Sequence, residues 1–241
     1  MTASNGSLVP SRTVDRPVEP PPAVHEARAT GDTRAFGSGT SRVPLSAEEL
    51  GRFERYVMEI FTRLGLNPKR PGTAPTPKRW LRAMIDMTAG YDGDPNLETV
   101  FPGECRSCSN DEMEQIVEGP ISFFALCEHH ALPIQGRAWI GYVAGERILG
   151  ISKLTRLLRL YARRFTTQER ITHDVAGHLM ERIQPQGVAV YVEAHHACTQ
   201  ARGVREVHSK TRTYAARGVY NANPQLRDAF MMLCGLGHAD R

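Results

Sequence analysis

The hydrophobic period of this chain changes at Glu112 and keeps changing to its end, and that alternation limits the folds open to it. Before the change, "SAEELGRFERYVMEIFTRLGLN" places Phe53, Val57, Ile60, Phe61 and Leu64 at helical spacing, behind a capping box of Ser46 and Glu49. A second helix opens at "TPKRWLRAMIDMTAGY", with Thr76 as its cap and Pro77 in its first turn. From Glu112, "MEQIVEGPISFFALCEHH" and "IQGRAWIGYVAGERILG" read as two strands joined near Pro133. "SKLTRLLRLYARR" and "RITHDVAGHLMERI" are helical, with Leu154, Leu157, Leu158 and Tyr161 in one apolar stripe. Two more strands follow in "GVAVYVEAHHACTQARGV" and "EVHSKTRTYAARGVY", then a short helix from about Pro224. Strands arriving in pairs, with helices between the pairs, argue for an α+β fold built on an antiparallel sheet.

Residues 1–44 stand apart. They hold six of the chain's 16 prolines, mixed charge and almost no large apolar side chains. Such a stretch buries too little surface to offset its ordering entropy, so it is expected to be a disordered tail. Residues 45–92 then form an N-terminal helical region, and 93–241 the main α+β domain. Lys and Arg outnumber Asp and Glu by 30 to 26, an excess too small to argue for a nucleic-acid partner. Five cysteines with no signal peptide and no long apolar run point to a reducing, cytoplasmic setting without a membrane span. There, cysteine beside histidine indicates metal binding or catalysis before it indicates a disulfide.

Within "FFALCEHHALPI", Cys127 and His130 are spaced C-x-x-H, half of a zinc site. "EAHHACTQARG" offers the rest: His196 and Cys198 lie two apart and would share one side of a strand. Cys127, His130 and Cys198 make a three-ligand set that leaves a position open, the mark of a catalytic zinc. A closed structural site competes, because "CRSC" places Cys105 and Cys108 at C-x-x-C. That alternative leaves His129, His195 and His196 without employment, whereas an open site can use imidazoles as acid–base groups. A second constellation suits a polyphosphate. Ser152 and Lys153 open a helix, Arg156 follows one turn on, Arg202 follows Cys198, and Arg79 follows the start of the second helix. In "QERIT", Gln168 and Glu169 sit between two helices, where a carboxylate can accept guanine's ring N–H and exocyclic amine together.

"CEHH", "GISKLTR", "TQERIT", "EAHHAC" and "ARGV…SKT" occur in the order and near the spacing found in GTP cyclohydrolase I, and from about Ser46 onward the chain resembles that family. "CRSC" is not part of the family pattern. The resemblance implies a tunnelling fold, with helices on one side of the antiparallel sheet, and a toroidal homodecamer with active sites at subunit boundaries. It implies Zn²⁺ on Cys127, His130 and Cys198, proton transfer by His129 and His196, and guanine recognition by Glu169 and Gln168. Ser152, Lys153, Arg156, Arg202 and Arg79 would hold the triphosphate of GTP. The implied reaction opens the imidazole ring of GTP, releases formate and recloses the product as 7,8-dihydroneopterin triphosphate. No role is implied for His195.

Overall fold

The computed structural model describes residues 42–98, 100–102 and 114–236. Most of the expected N-terminal tail, and the "CRSC" cysteines Cys105 and Cys108, lie outside these residues. Helix α1 (Ala47–Arg63) starts at the expected capping box: the Ser46 hydroxyl accepts from the Glu49 N–H at 3.2 Å, and the Glu49 carboxylate accepts from the Ser46 N–H at 2.8 Å. In α2 (Thr76–Met87) the cap is Pro75, and Thr76 is the first helical residue rather than the cap. Phe61 meets Trp80 edge-on at 5.7 Å and joins the two helices. Arg42, assigned by sequence to the tail, donates to the Ile85 carbonyl at 2.5 Å and pairs with Asp92, a cation set at the carbonyl end of α2.

The sheet has five strands in the order β5-β2-β3-β6-β7: β2 is Gln115–Cys127, β3 Pro133–Val143, β5 Phe165–Thr166, β6 Gly187–His196 and β7 Thr211–Gly218. Its four long strands are antiparallel, as expected, and the two-residue β5 runs parallel to the end of β2. The tail of the second expected strand separates as β4 (Arg147–Leu149), which pairs with β1 (Val100–Pro102) in a small sheet of its own. Beyond the last two residues of β2, no described strand pairs with its edge opposite β3; the outer edge of β7 is likewise open.

Helices α3 (Ile151–Ala162) and α4 (Gln168–Ile183) cover one face. Leu154, Leu157, Leu158, Ile171, Val175 and Leu179 pack there against alternate sheet residues such as Phe123, Ile140, Val190 and Val192, every one of them buried. The expectation of helices on one side only needs correction. After α6 (Val219–Ala222), α7 (Pro224–Leu233) turns onto the opposite face, where Phe230, Tyr220 and Leu226 bury Trp139, Ala189 and Tyr191. Gly141 permits the approach, since a Cβ there would meet the Phe230 ring at 2.7 Å. No helix among the described residues is long and apolar enough to cross a membrane.

The N-terminal helices reach the main sheet through a short 3-10 turn, Ala89–Asp92. The Gly90 N–H donates to the Arg163 carbonyl at 2.8 Å, and the buried Arg164 guanidinium donates to the Gly90 carbonyl from Nε at 3.2 Å and Nη2 at 3.0 Å. Arg164 also lies over the rings of Tyr91 and Tyr161. No buried side-chain nitrogen or oxygen among the described residues lacks a hydrogen-bond partner.

Candidate metal centre

β2 ends at Cys127, and residues 128–130 form a turn closed by the Ala131 N–H donating to the Cys127 carbonyl at 2.8 Å. That turn curls both histidines back toward the sulfur: His129 Nδ1 and His130 Nδ1 each lie 3.9 Å from Cys127 Sγ, with their rings edge to face. Across the sheet, β6 stops at His196, because its partner β3 begins one residue beyond Ile134, the residue opposite His196. Cys198 therefore sits on the short helix α5 (Ala197–Gln200), not on a strand as its spacing from His196 suggested.

Cys127, His130 and Cys198 bring one donor atom each to within 4.8 Å of one another, and His129 is not in that group. Tetrahedral zinc, with bonds of about 2.3 Å to sulfur and about 2.0–2.1 Å to nitrogen, fits this arrangement after a modest contraction. Burial and the adjacent Cys127 sulfur raise the Cys198 thiol above its ordinary range, while Arg202 pulls the other way. A bound cation would reverse that balance, because it favours thiolates.

Of the remaining expected residues, all but Arg79 fall into two groups. Around the cysteines and His130 lie His129, His196, Glu169, Gln168 and Arg202. His196 is half-buried, and burial lowers its pKa while the nearby Glu169 carboxylate opposes the shift. Glu169 is exposed in the first turn of α4, which Thr167 caps by accepting from the Arg170 N–H at 3.2 Å. Gln168 does not fit its expected role in reading guanine. Its side chain is 0% exposed and its amide is spent on Val192, Thr211, Thr213 and His196. His195, one residue along a strand from His196, points to the other face and pairs with Gln200 at 2.9 Å. Glu128, the carboxylate inside "CEHH", turns outward to an ion pair with Arg170.

Ser152, Lys153 and Arg156 form the second group, at the start of α3. The Leu149 N–H just before that helix donates to the Tyr142 hydroxyl at 3.2 Å, near the end of β3 farthest from Ile134 and His196. At about 3.3 Å per residue, the eight steps from Ile134 to Tyr142 put the two groups roughly 26 Å apart within one chain. Here Lys153 donates to the Asn96 carbonyl and Arg156 pairs with Asp94 at 3.2 Å. A cavity of about 550 Å³ opens beside them, lined by Ser152, Arg156, Arg159, Arg163 and Asp94. Arg159, one turn beyond Arg156 on α3, joins this cationic lining, and that spacing is its signal in the sequence. Arg79 is exposed on α2 and reaches the Gly72 carbonyl at 3.4 Å; no contact among the described residues joins it to either group.

Residues 53–235 match the family model described as GTP cyclohydrolase I. The chain belongs to the GTP cyclohydrolase I family. A "GTP cyclohydrolase 1" of Campylobacter curvus is 40% identical over 181 residues, which is 75% of this chain and 93% of that protein. The protein of the same name from Deinococcus radiodurans is 38% identical over 84% of this chain and 92% of its own length. That from Drosophila melanogaster is 42% identical over 70% of this chain and 51% of its own. Among solved structures, the archaeosine synthase QueF-Like in the apo form aligns with 44% of this chain and 92% of its own at 13% identity and a TM-score of 0.35. The five-stranded sheet carrying α3 and α4 is of the α+β class expected from the sequence.

Proposed function

We propose that this chain hydrolyses the imidazole ring of GTP, releases C8 as formate and recloses the product to 7,8-dihydroneopterin triphosphate. The observation that carries the reading is the convergence of Cys127, His130 and Cys198, with His196 and Glu169 beside them, in a chain of the GTP cyclohydrolase I family. Cys127, His130 and Cys198 would hold Zn²⁺, the ion that suits a Cys₂His set with one open position. Such an ion supplies Lewis acidity, which makes water a competent nucleophile near neutral pH.

The protein's own side chains do the rest. Glu169 accepts the two N–H donors on one edge of guanine, a pattern that adenine lacks. His196 gives a proton to N7, which makes C8 electrophilic. His129, exposed beside the cluster, carries protons in the later ring-opening and reclosing steps. Arg202 meets the triphosphate from the metal side, and Ser152, Lys153 and Arg156 hold it from the other.

These groups cannot meet on one GTP within a single chain, given their separation. We therefore infer a homo-oligomer, a decamer in the family's manner, in which each site joins the metal group of one subunit to the phosphate group of another. The open edges of β2 and β7 support this reading, because unpaired strand edges seek partners. Arg79 would then serve a neighbouring site. The N-terminal helices act as an extension of the catalytic domain, and the setting is the cytoplasm.

Purified protein incubated with GTP should release formate and develop a pterin chromophore; absence of both refutes the reading. A closed site using Cys105 and Cys108 makes a different prediction. Changing both to Ser should leave zinc content and turnover intact if the site is open, and should strip the metal if it is closed.

A further inference from the structure

We propose that Gln168 is a positioning residue, which holds His196 with its proton on Nε2 and so leaves Nδ1 as the ring nitrogen presented to the substrate. The inference about substrate rests on the function proposed above, whereas the inference about the ring does not. Gln168 is wholly buried in the first turn of α4, beneath the end of the β6–β7 ladder. One terminal atom of its amide lies 3.1 Å from the Val192 carbonyl and 3.0 Å from the Thr211 carbonyl. Backbone carbonyls only accept, so that atom is the NH₂ group.

The hydroxyls beside it agree. The Thr172 hydroxyl donates to the main-chain carbonyl of Gln168 at 2.8 Å, so toward Thr213, 2.6 Å away, it can only accept. The Thr213 proton is thereby used on Thr172, and its lone pairs face the Gln168 amide at 3.2 Å. The orientation of the amide thus follows from three acceptors around one terminal atom, two of them backbone carbonyls, and not from an arbitrary choice between nitrogen and oxygen. The other terminal atom must be Oε1, and it lies 2.8 Å from His196 Nε2. An amide oxygen only accepts, so Nε2 carries hydrogen in both the neutral and the charged ring. Any proton that His196 exchanges with guanine N7 therefore leaves from, and returns to, Nδ1.

The test uses the zinc-loaded enzyme with ¹⁵N-labelled histidine and long-range ¹H–¹⁵N correlation spectra, with the His196 signals assigned by their loss in His196→Ala. Wild-type His196 should show a protonated Nε2 and an unprotonated Nδ1 when neutral. Gln168→Met, which keeps the length of the side chain but removes its acceptor, should mix the two tautomers. The same variant should lose about tenfold or more in kcat, part of the 10²–10⁴ that a placed acid supplies, with KM for GTP within about twofold. A proton on Nδ1 in the wild type overturns the proposal even if Gln168→Met does not fold. So does a Gln168→Met enzyme with normal kcat and a raised KM, which would make Gln168 a guanine contact. A wild-type enzyme inert toward GTP would refute the proposed function, while the tautomer measurement would still decide the role of Gln168.

Discussion

Changing Gly90 to Ala sets a methyl group where two backbone carbonyls already stand. The new Cβ would lie 2.3 Å from the Leu160 oxygen and 2.6 Å from the Arg163 oxygen, against the 3.4 Å at which ordinary contact begins. Neither neighbour is a flexible side-chain tip, so the 3-10 turn must move off the end of α3 by about 1 Å. Such a shift breaks the Gly90 N–H bond to Arg163, worth roughly 0.5–1.5 kcal/mol, and the two bonds from Arg164, roughly 1.5–3 kcal/mol together as bonds from a charged donor. A total near 3 kcal/mol reduces the ratio of docked to undocked N-terminal helices by about a hundredfold. In a domain of this size it should also lower Tm by about 6–12 °C. Thermal unfolding and limited proteolysis around residues 93–114 measure the two effects. Gly51→Ala is the control: it sits inside α1 with nothing nearer than the Arg55 guanidinium at 4.0 Å, and should stabilise by up to about 1 kcal/mol. If Gly90→Ala melts within 2 °C of the wild type and is cut no faster, the contact at Gly90 does not hold the two parts together.

Three further outcomes follow from the site and the core. His130→Ala should strip the metal, while His129→Ala and His196→Ala should keep it and lose about 10²–10⁴ in formate release; metal analysis with a formate assay on the purified variants checks this. Glu169→Gln turns a donor toward guanine's donors, with a mismatch of roughly 1–3 kcal/mol for each buried group, so turnover of GTP should fall by about two orders of magnitude with zinc content unchanged. Burial holds His178 down to about 4 from an ordinary 6.5, so the unfolded chain binds a proton that the folded chain refuses between those values. Unfolding free energy should therefore rise with pH across that window and level off above it, and His178→Phe should flatten the slope in urea titrations.

The elements were legible in the sequence because each carries a local cause. Ser46 and Glu49 announce α1 within four residues, and the apolar alternation of β6 and the stripe on α3 need no distant partner. What escaped the sequence depends on neighbours far along the chain. Nothing near Cys198 says that β6 stops at His196; the stop comes from β3, a strand that itself begins 63 residues earlier, at Pro133. Gln168 at a helix start looks solvated, yet the end of the β6–β7 pair offers it two carbonyls and takes it inside. The docking of Arg164 on Gly90 is similarly invisible, being a contact across 74 positions. His195 is the opposite case. Strand alternation alone sets it on the face away from His196, and the sequence contained that information.

The distance between the metal group at the end of β2 and the cations at the start of α3 has a genetic consequence. On the assembly we propose, in which each site joins the metal group of one subunit to the phosphate group of another, a cell carrying one allele damaged at His130 and another damaged at Lys153 would make no intact chain but would make mixed oligomers. Where the sound metal end of one subunit faces the sound phosphate end of another, a complete site forms from two broken genes. Two defective proteins, dissociated and reassembled together, should thus recover up to about a quarter of normal activity if subunits mix at random, while each assembled alone stays silent. Damage at His130 and Cys198 would not complement in this way, because both residues serve the same end of the chain.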